Sequence, residues 1–145
     1  MMKGIKRAVV FVIVVALLSI FLTACDFNVT TAYYEDLAVA SQINEQTNKP
    51  VTLADEFNTW SEGFYVTGEI KNAPVGTVTR IEWIYLDSQP EYLIDYSEYT
   101  VDGVNEDLVF TLSRPDGGWP AGSYEARVYI DGILKSTLPL TVKQD

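Results

Sequence analysis

Phe64-Tyr65-Val66-Thr67-Gly68-Glu69-Ile70 alternates without a break. Phe64, Val66, Gly68 and Ile70 fall on one side, and Tyr65, Thr67 and Glu69 on the other. A period of two marks a strand with one buried face. The same pattern recurs downstream. Lys71-Asn72-Ala73-Pro74-Val75-Gly76 reads as a turn, and the strand from Thr77 to Leu86 then sets Ile81, Trp83 and Tyr85 opposite Arg80 and Glu82. Gln89-Pro90 ends it. Tyr92 to Val101 is tyrosine-rich and β-prone, and Asp102-Gly103 reads as a hairpin-type turn. Leu108, Phe110 and Leu112 form the inward side of the next strand. Tyr124, Ala126, Val128 and Ile130 face inward in another, which Asp131-Gly132 joins to a last strand from Ile133 to Val142. Pro139 cannot donate to a ladder, so an edge or a bulge is expected there. Upstream, Asp36 to Ile43 is read as a first edge strand, Asn44 to Pro50 as a polar loop, and Val51 to Ala54 as a short second piece. About seven short strands with turns at near-regular spacing predict an all-β fold, an Ig-like β-sandwich.

The N-terminal stretch reads differently. Lys3, Lys6 and Arg7 precede an apolar run from Ala8 to Leu22, interrupted only by Ser19. Its length of roughly 15 residues suits the core of a signal peptide better than a membrane span, which needs about 20. Leu22-Thr23-Ala24-Cys25 resembles the lipobox of bacterial lipoproteins. The resemblance implies a diacylglyceryl group on the Cys25 sulfur and cleavage just before it. Two or three acyl chains, at about 0.8 kcal/mol per buried CH₂, would anchor the product firmly. The expected organisation is a signal peptide over 1–24, the lipidated Cys and a short tether over 25–35, and the β domain over 36–145. The tether reaches about 20 Å at ~3.3–3.6 Å per residue. In Gram-negative lipoproteins, Asp at the place of Asp26 resembles an inner-membrane retention signal.

Asn72-Ala73-Pro74-Val75-Gly76-Thr77 with Trp83 downstream, and Gly117-Gly118-Trp119-Pro120-Ala121-Gly122-Ser123-Tyr124 before the final hairpin, are similar to single Ig-like domains of bacterial surface lipoproteins. The likeness implies the fold and leaves the role open. Trp83 is placed like the core tryptophan of such domains, here with no disulfide to pack on. Pro120 and Gly122 fix a tight approach to the strand, so that Trp119 can cover the end of the sandwich.

Composition excludes several chemistries. The chain has no His and one Cys, Cys25. Ser-His-Asp and Cys-His catalysis and Cys/His zinc sites therefore have no residues to work with. Lipidation would consume the thiol, so a disulfide within the mature chain is excluded. Loss of residues 1–24 removes three basic residues and no acidic ones, leaving 7 Lys+Arg against 20 Asp+Glu, a net charge of −13. That balance argues against nucleic acid as a partner. No Gly-rich phosphate loop occurs. The acidic run Asp102-Gly103-Val104-Asn105-Glu106-Asp107 offers oxygen ligands of the kind calcium takes, but its spacing does not match an EF-hand loop, and a solvated turn is the simpler reading. No metal or cofactor is expected.

The candidate contact residues are aromatic. Trp60 and Trp119 lie in loops, and Tyr92 and Tyr96 share a side of a regular strand while Tyr99 takes the other. Such rings recognise sugars or protein partners through one apolar and one polar end. The expected function is a non-catalytic binding module, anchored to the cell membrane through lipid on Cys25, facing an envelope protein or glycan on the extracytoplasmic side. The alternatives are a structural or accessory lipoprotein acting through an exposed edge strand, and a small hydrolase built on two carboxylates.

Overall fold

The computed structural model describes residues 30–144, so the signal segment, the lipobox and Cys25 lie outside the described residues. Nine strands run in the order β1 (Tyr33–Asn44), β2 (Lys49–Leu53), β3 (Glu56–Asn58), β4 (Gly63–Lys71), β5 (Val78–Tyr85), β6 (Tyr92–Thr100), β7 (Glu106–Ser113), β8 (Gly122–Ile130) and β9 (Ile133–Lys143). They form two facing sheets, β2-β1-β4-β7 and β3-β9-β8-β5-β6. The all-β sandwich is the predicted fold, with nine strands where about seven were expected.

The alternating rows make the core. Phe64, Val66 and Ile70 of β4 meet Ile81 and Trp83 of β5, and Tyr124, Ala126, Val128 and Ile130 of β8 complete the layer. Leu108, Phe110 and Leu112 of β7 are buried with them. Tyr34 ties the two sheets directly, its hydroxyl donating to the Tyr129 carbonyl at 2.8 Å. Burial pushes that phenol well above its usual range.

Several departures have clear physical causes. β1 begins at Tyr33, so three residues assigned to the tether pair instead with β4: Tyr33 with Lys71, Tyr34 with Ile70, Glu35 with Glu69. Asp36 and Leu37 are then bulged, with Asp36 at φ 54°. The bulge passes close to Gly68: a Cβ there would lie 3.2 Å from both the Glu35 carbonyl oxygen and the Leu37 Cα. β3 has only three residues, too few for an alternation to register, and it pairs in parallel with the far end of β9. Asp102-Gly103 does not form a hairpin, because β6 and β7 belong to different sheets and the turn crosses between them. Asp131-Gly132 does, with φ values of 48° and 77°. Pro139 pairs with Glu125 on β8, while β3 covers β9 only at Thr141, Val142 and Lys143, so the outer edge at Pro139 is bare as expected.

The β1–β2 hairpin turns its tip back across the outer face of the first sheet. There Lys49 bridges Glu69 at 2.7 Å and Asp107 at 2.5 Å. Lys71 also contacts Glu69. Thr67 belongs to this outward row, yet it is only 2 % exposed because Asn48, Lys49 and Pro50 roof it. Its hydroxyl has no hydrogen-bond partner among the described residues. A buried, unpaired hydroxyl costs about 1–3 kcal/mol. Thr67→Val should therefore raise stability by about 1 kcal/mol, measured as a higher denaturant midpoint.

Lys49 and then Lys71 hold the Glu69 carboxyl at about 2. A carboxylate lowered by folding stabilises the structure above its ordinary range and loses that contribution on acidification. The hairpin tip should loosen as pH falls from about 4.5 toward about 2. Protection of the amides at residues 44–49, taken relative to intrinsic exchange at each pH, should fall over that window, and Lys49→Met should abolish the fall.

Candidate functional site

The strand registers set two ends apart. At one end Gly63 pairs with Ser113, and Tyr85 pairs with both Tyr92 and Tyr124. The loops 59–62, 86–91 and 114–121 gather here. At the other end Tyr33 meets Lys71, Val78 meets Thr100, and Ile130 meets Ile133. The loops 72–77 and 101–105 and the Asp131-Gly132 turn gather there, beside Thr30.

The first end is built around aromatic rings. Phe64 stacks on Trp119 with centroids 4.1 Å apart and meets Phe57 at 4.6 Å and Tyr124 at 5.7 Å. Trp83 tilts against Phe64 with centroids 6.4 Å apart. Two loops are sewn together over this cluster. The Trp119 amide donates to the Thr59 carbonyl at 2.8 Å, and its indole N–H donates to the Ser61 carbonyl at 2.8 Å. Arg114 donates from its amide to Glu62 and from its guanidinium to Trp60. Gly118 makes the approach possible: it sits at φ +77°, and a Cβ would fall 2.7 Å from the Thr59 oxygen.

The candidate residues separate on this frame. Trp119 is 4 % exposed, so it closes the end of the core and is not the exposed contact expected. Its loop is short and both its polar groups are satisfied by the facing loop, which draws the ring inward. Trp60 is 57 % exposed, with the Arg114 guanidinium 5.5 Å above its ring. Tyr92 and Tyr96 do not share a side. A bulge at Ile94 shifts the register, so Tyr92 pairs with Tyr85 toward the interior and Tyr96 pairs with Glu82 on the outer face. Arg80 lies 4.2 Å from the Tyr96 ring. Tyr99 donates to Glu106 at 2.8 Å.

Tyr92 thereby joins a cleft of about 200 Å³ lined by Tyr85, Tyr92, Ile94, Pro115, Trp119, Pro120 and Tyr124. Tyr85 donates to the Ala121 carbonyl at 3.1 Å and Tyr124 to the Pro120 carbonyl at 2.5 Å. Burial raises the Tyr124 phenol well above its usual range. With those hydroxyls committed, the cleft offers ring faces and almost no hydrogen-bonding groups. Sequence reading missed Tyr85 and Tyr124 as cleft residues, because alternation assigns both to the core and cannot show that the 114–121 loop leaves a cleft beside them.

The acidic turn serves the fold. Glu106 accepts from the Asp102 and Gly103 amides as well as from Tyr99. Burial opposes its charge, but these donors outweigh it and hold the carboxyl below its usual range. Its contact pushes the Asp102 carboxyl up. Asn105 accepts from the Asn72 amide, and Asp107 is held by Lys49. Among the described residues no three His, Cys, Asp or Glu side chains converge as metal ligands.

No family model and no curated protein sequence matches the chain. Among solved structures it is similar to an alkylpurine DNA glycosylase of Pseudomonas fluorescens bound to DNA containing an abasic site analog, at 10 % identity and a TM-score of 0.47, over 77 % of this chain and 30 % of that one. It is also similar to a β-glucosidase of Listeria innocua, at 14 % identity and a TM-score of 0.48, over 79 % of this chain and 16 % of that one. A β-glucosidase of Chaetomella raphigera gives 16 % identity and a TM-score of 0.45, over 77 % of this chain and 18 % of that one. The chain spans less than a third of each of these proteins.

Removal of a large buried ring costs about 3–5 kcal/mol, whereas exposed positions shift stability by about 0.5 kcal/mol. Trp119→Ala should therefore lower the thermal midpoint steeply, while Trp60→Ala should leave it nearly unchanged. A scan by circular dichroism reads both.

Proposed function

We propose that the chain is a lipid-anchored, extracytoplasmic interaction module without catalytic activity, and that it holds an envelope protein through the aromatic cleft. The observation that carries this reading is the cleft itself. Three tyrosines, a tryptophan and two prolines present apolar faces at the end opposite Thr30. A chain tethered through Cys25 would turn that end outward. Sugar rings need hydrogen-bonding groups around them, and the Tyr85 and Tyr124 hydroxyls are already committed to backbone carbonyls. Prolyl and other apolar side chains need only ring faces, as in aromatic grooves that take extended Pro-rich segments. The cleft therefore favours a peptide segment over a glycan.

The edge-strand alternative has less support. β6 is exposed along its length and borders its sheet. Yet it carries the Ile94 bulge together with Asp95 and Glu98, two devices that blunt edges against strand addition.

The test is photo-crosslinking in intact cells from a probe placed beside the cleft, followed by titration of the purified partner. Tyr92→Ala should weaken binding about tenfold or more, the loss typical of a buried aromatic anchor, with the melting temperature unchanged. Trp60→Ala should retain binding. Equal affinity of Tyr92→Ala and wild type would overturn the reading, and so would capture of envelope glycan in place of protein.

A further inference from the structure

The end of the sandwich opposite the cleft carries exposed apolar side chains at its loop tips. Val75 is 74 % exposed, Val104 60 % and Ile133 53 %. Val75 and Val104 lie on two connections that are bound to each other, and Ile133 opens β9 beside a turn that is bound to the start of β5. The Ala73 amide donates to the Val104 carbonyl at 3.0 Å, the Gly76 amide to the Val101 carbonyl at 2.9 Å, and the Asp131 amide to the Val78 carbonyl at 2.8 Å. Apolar tips on adjoining turns, with Leu134 and Tyr33 exposed nearby, are unusual where turns are ordinarily polar.

The chain arrives at this same end. Thr31 donates to the Asn72 carbonyl at 3.1 Å, Ala32 is buried, and Tyr33 pairs with Lys71. Cys25 precedes Thr30 by five residues, a covalent reach of at most about 18 Å. We infer that this end is a second membrane contact, in which Val75, Val104 and Ile133 dip into the lipid interface beside the acyl anchor. The inference rests on the reading of Cys25 as lipidated. A bilayer is the occupant that this reach selects, because an anchored Cys25 holds the tips within a short distance of lipid.

The local charges permit it. The Asp131 carboxylate is turned back to the Val78 amide at 2.9 Å, and Glu106 is turned to the Asp102 and Gly103 amides. These two carboxylates are thus engaged by backbone amides of the turns, while Val75, Val104 and Ile133 are exposed. The contact is apolar in kind, so it should form on phosphatidylcholine and need no anionic lipid. Tyr33 would sit at headgroup level, where amphipathic rings collect.

The test uses the full chain as processed by cells, reconstituted in phosphatidylcholine vesicles. Acylation of Cys25 leaves no other thiol, so Val75→Cys, Val104→Cys and, as a distant control, Asp116→Cys each accept one solvatochromic label. The labels at 75 and 104 should shift to the blue on vesicles and be quenched by lipid-borne quenchers, while the label at 116 should keep its aqueous emission. Water-like emission at all three positions, with Cys25 acylated by mass spectrometry, would overturn the inference and leave the anchor standing. An unmodified Cys25 sulfur would overturn both.

Discussion

The stack of Phe64 on Trp119 is the contact on which the rest of the molecule depends. Phe64 opens the buried row of β4, and Trp119 comes from a loop between strands of different sheets. Their contact joins the two layers and fixes where two loops lie. Ig-like domains often staple their sheets with a disulfide against a tryptophan. Here aromatic packing takes over that role, with Phe57, Trp83 and Tyr124 arranged around Phe64. Tilted and offset ring pairs contribute about 0.5–1.5 kcal/mol each beyond their buried area. A cluster of them is a credible substitute for a crosslink, and it brings shape as well as strength.

That shape links the core to the candidate cleft. Trp119 has one face on Phe64 and lines the cleft together with Tyr92 and Pro115. The ring that holds the sandwich shut is therefore also the floor of the surface feature. Tyr85 and Tyr124 behave alike: each hydroxyl is tied to the 120–121 backbone, and each ring lines the cleft. The walls of the site are held by the core, which keeps its geometry fixed before any partner arrives.

Much of this was legible in the residues. Alternation in Phe64–Ile70, Tyr124–Ile130 and Leu108–Leu112 identified the inward rows, because a half-buried strand must repeat every second residue. Asp131-Gly132 announced its hairpin through two residues that tolerate positive φ. What escaped were the interruptions. The Ile94 bulge moved Tyr96 to the opposite face from Tyr92, and no composition rule marks an Ile as bulged. The Asp36-Leu37 bulge was equally silent, although Gly68 opposite it is a trace of the close approach. Trp119 was legible as a cover, but its burial beneath the cleft was not, because the sequence shows that an aromatic ring is in a loop and not which way the loop folds. Lys49 lies far along the chain from both its carboxylates, and only the folded-back hairpin brings them together.

The parallel pairing of β3 with β9 bears on how the chain acquires its fold. Glu56 and Phe57, early in the domain, find their backbone partners at Thr141 and Val142, almost at its end. Such distant contacts are slow to form because a long loop must close before they are made. Phe57, which leans on Phe64, stays without its strand partner until residues 141–143 have been made. The first sheet, whose last strand ends at Ser113, can therefore pair before the second receives its outermost strand.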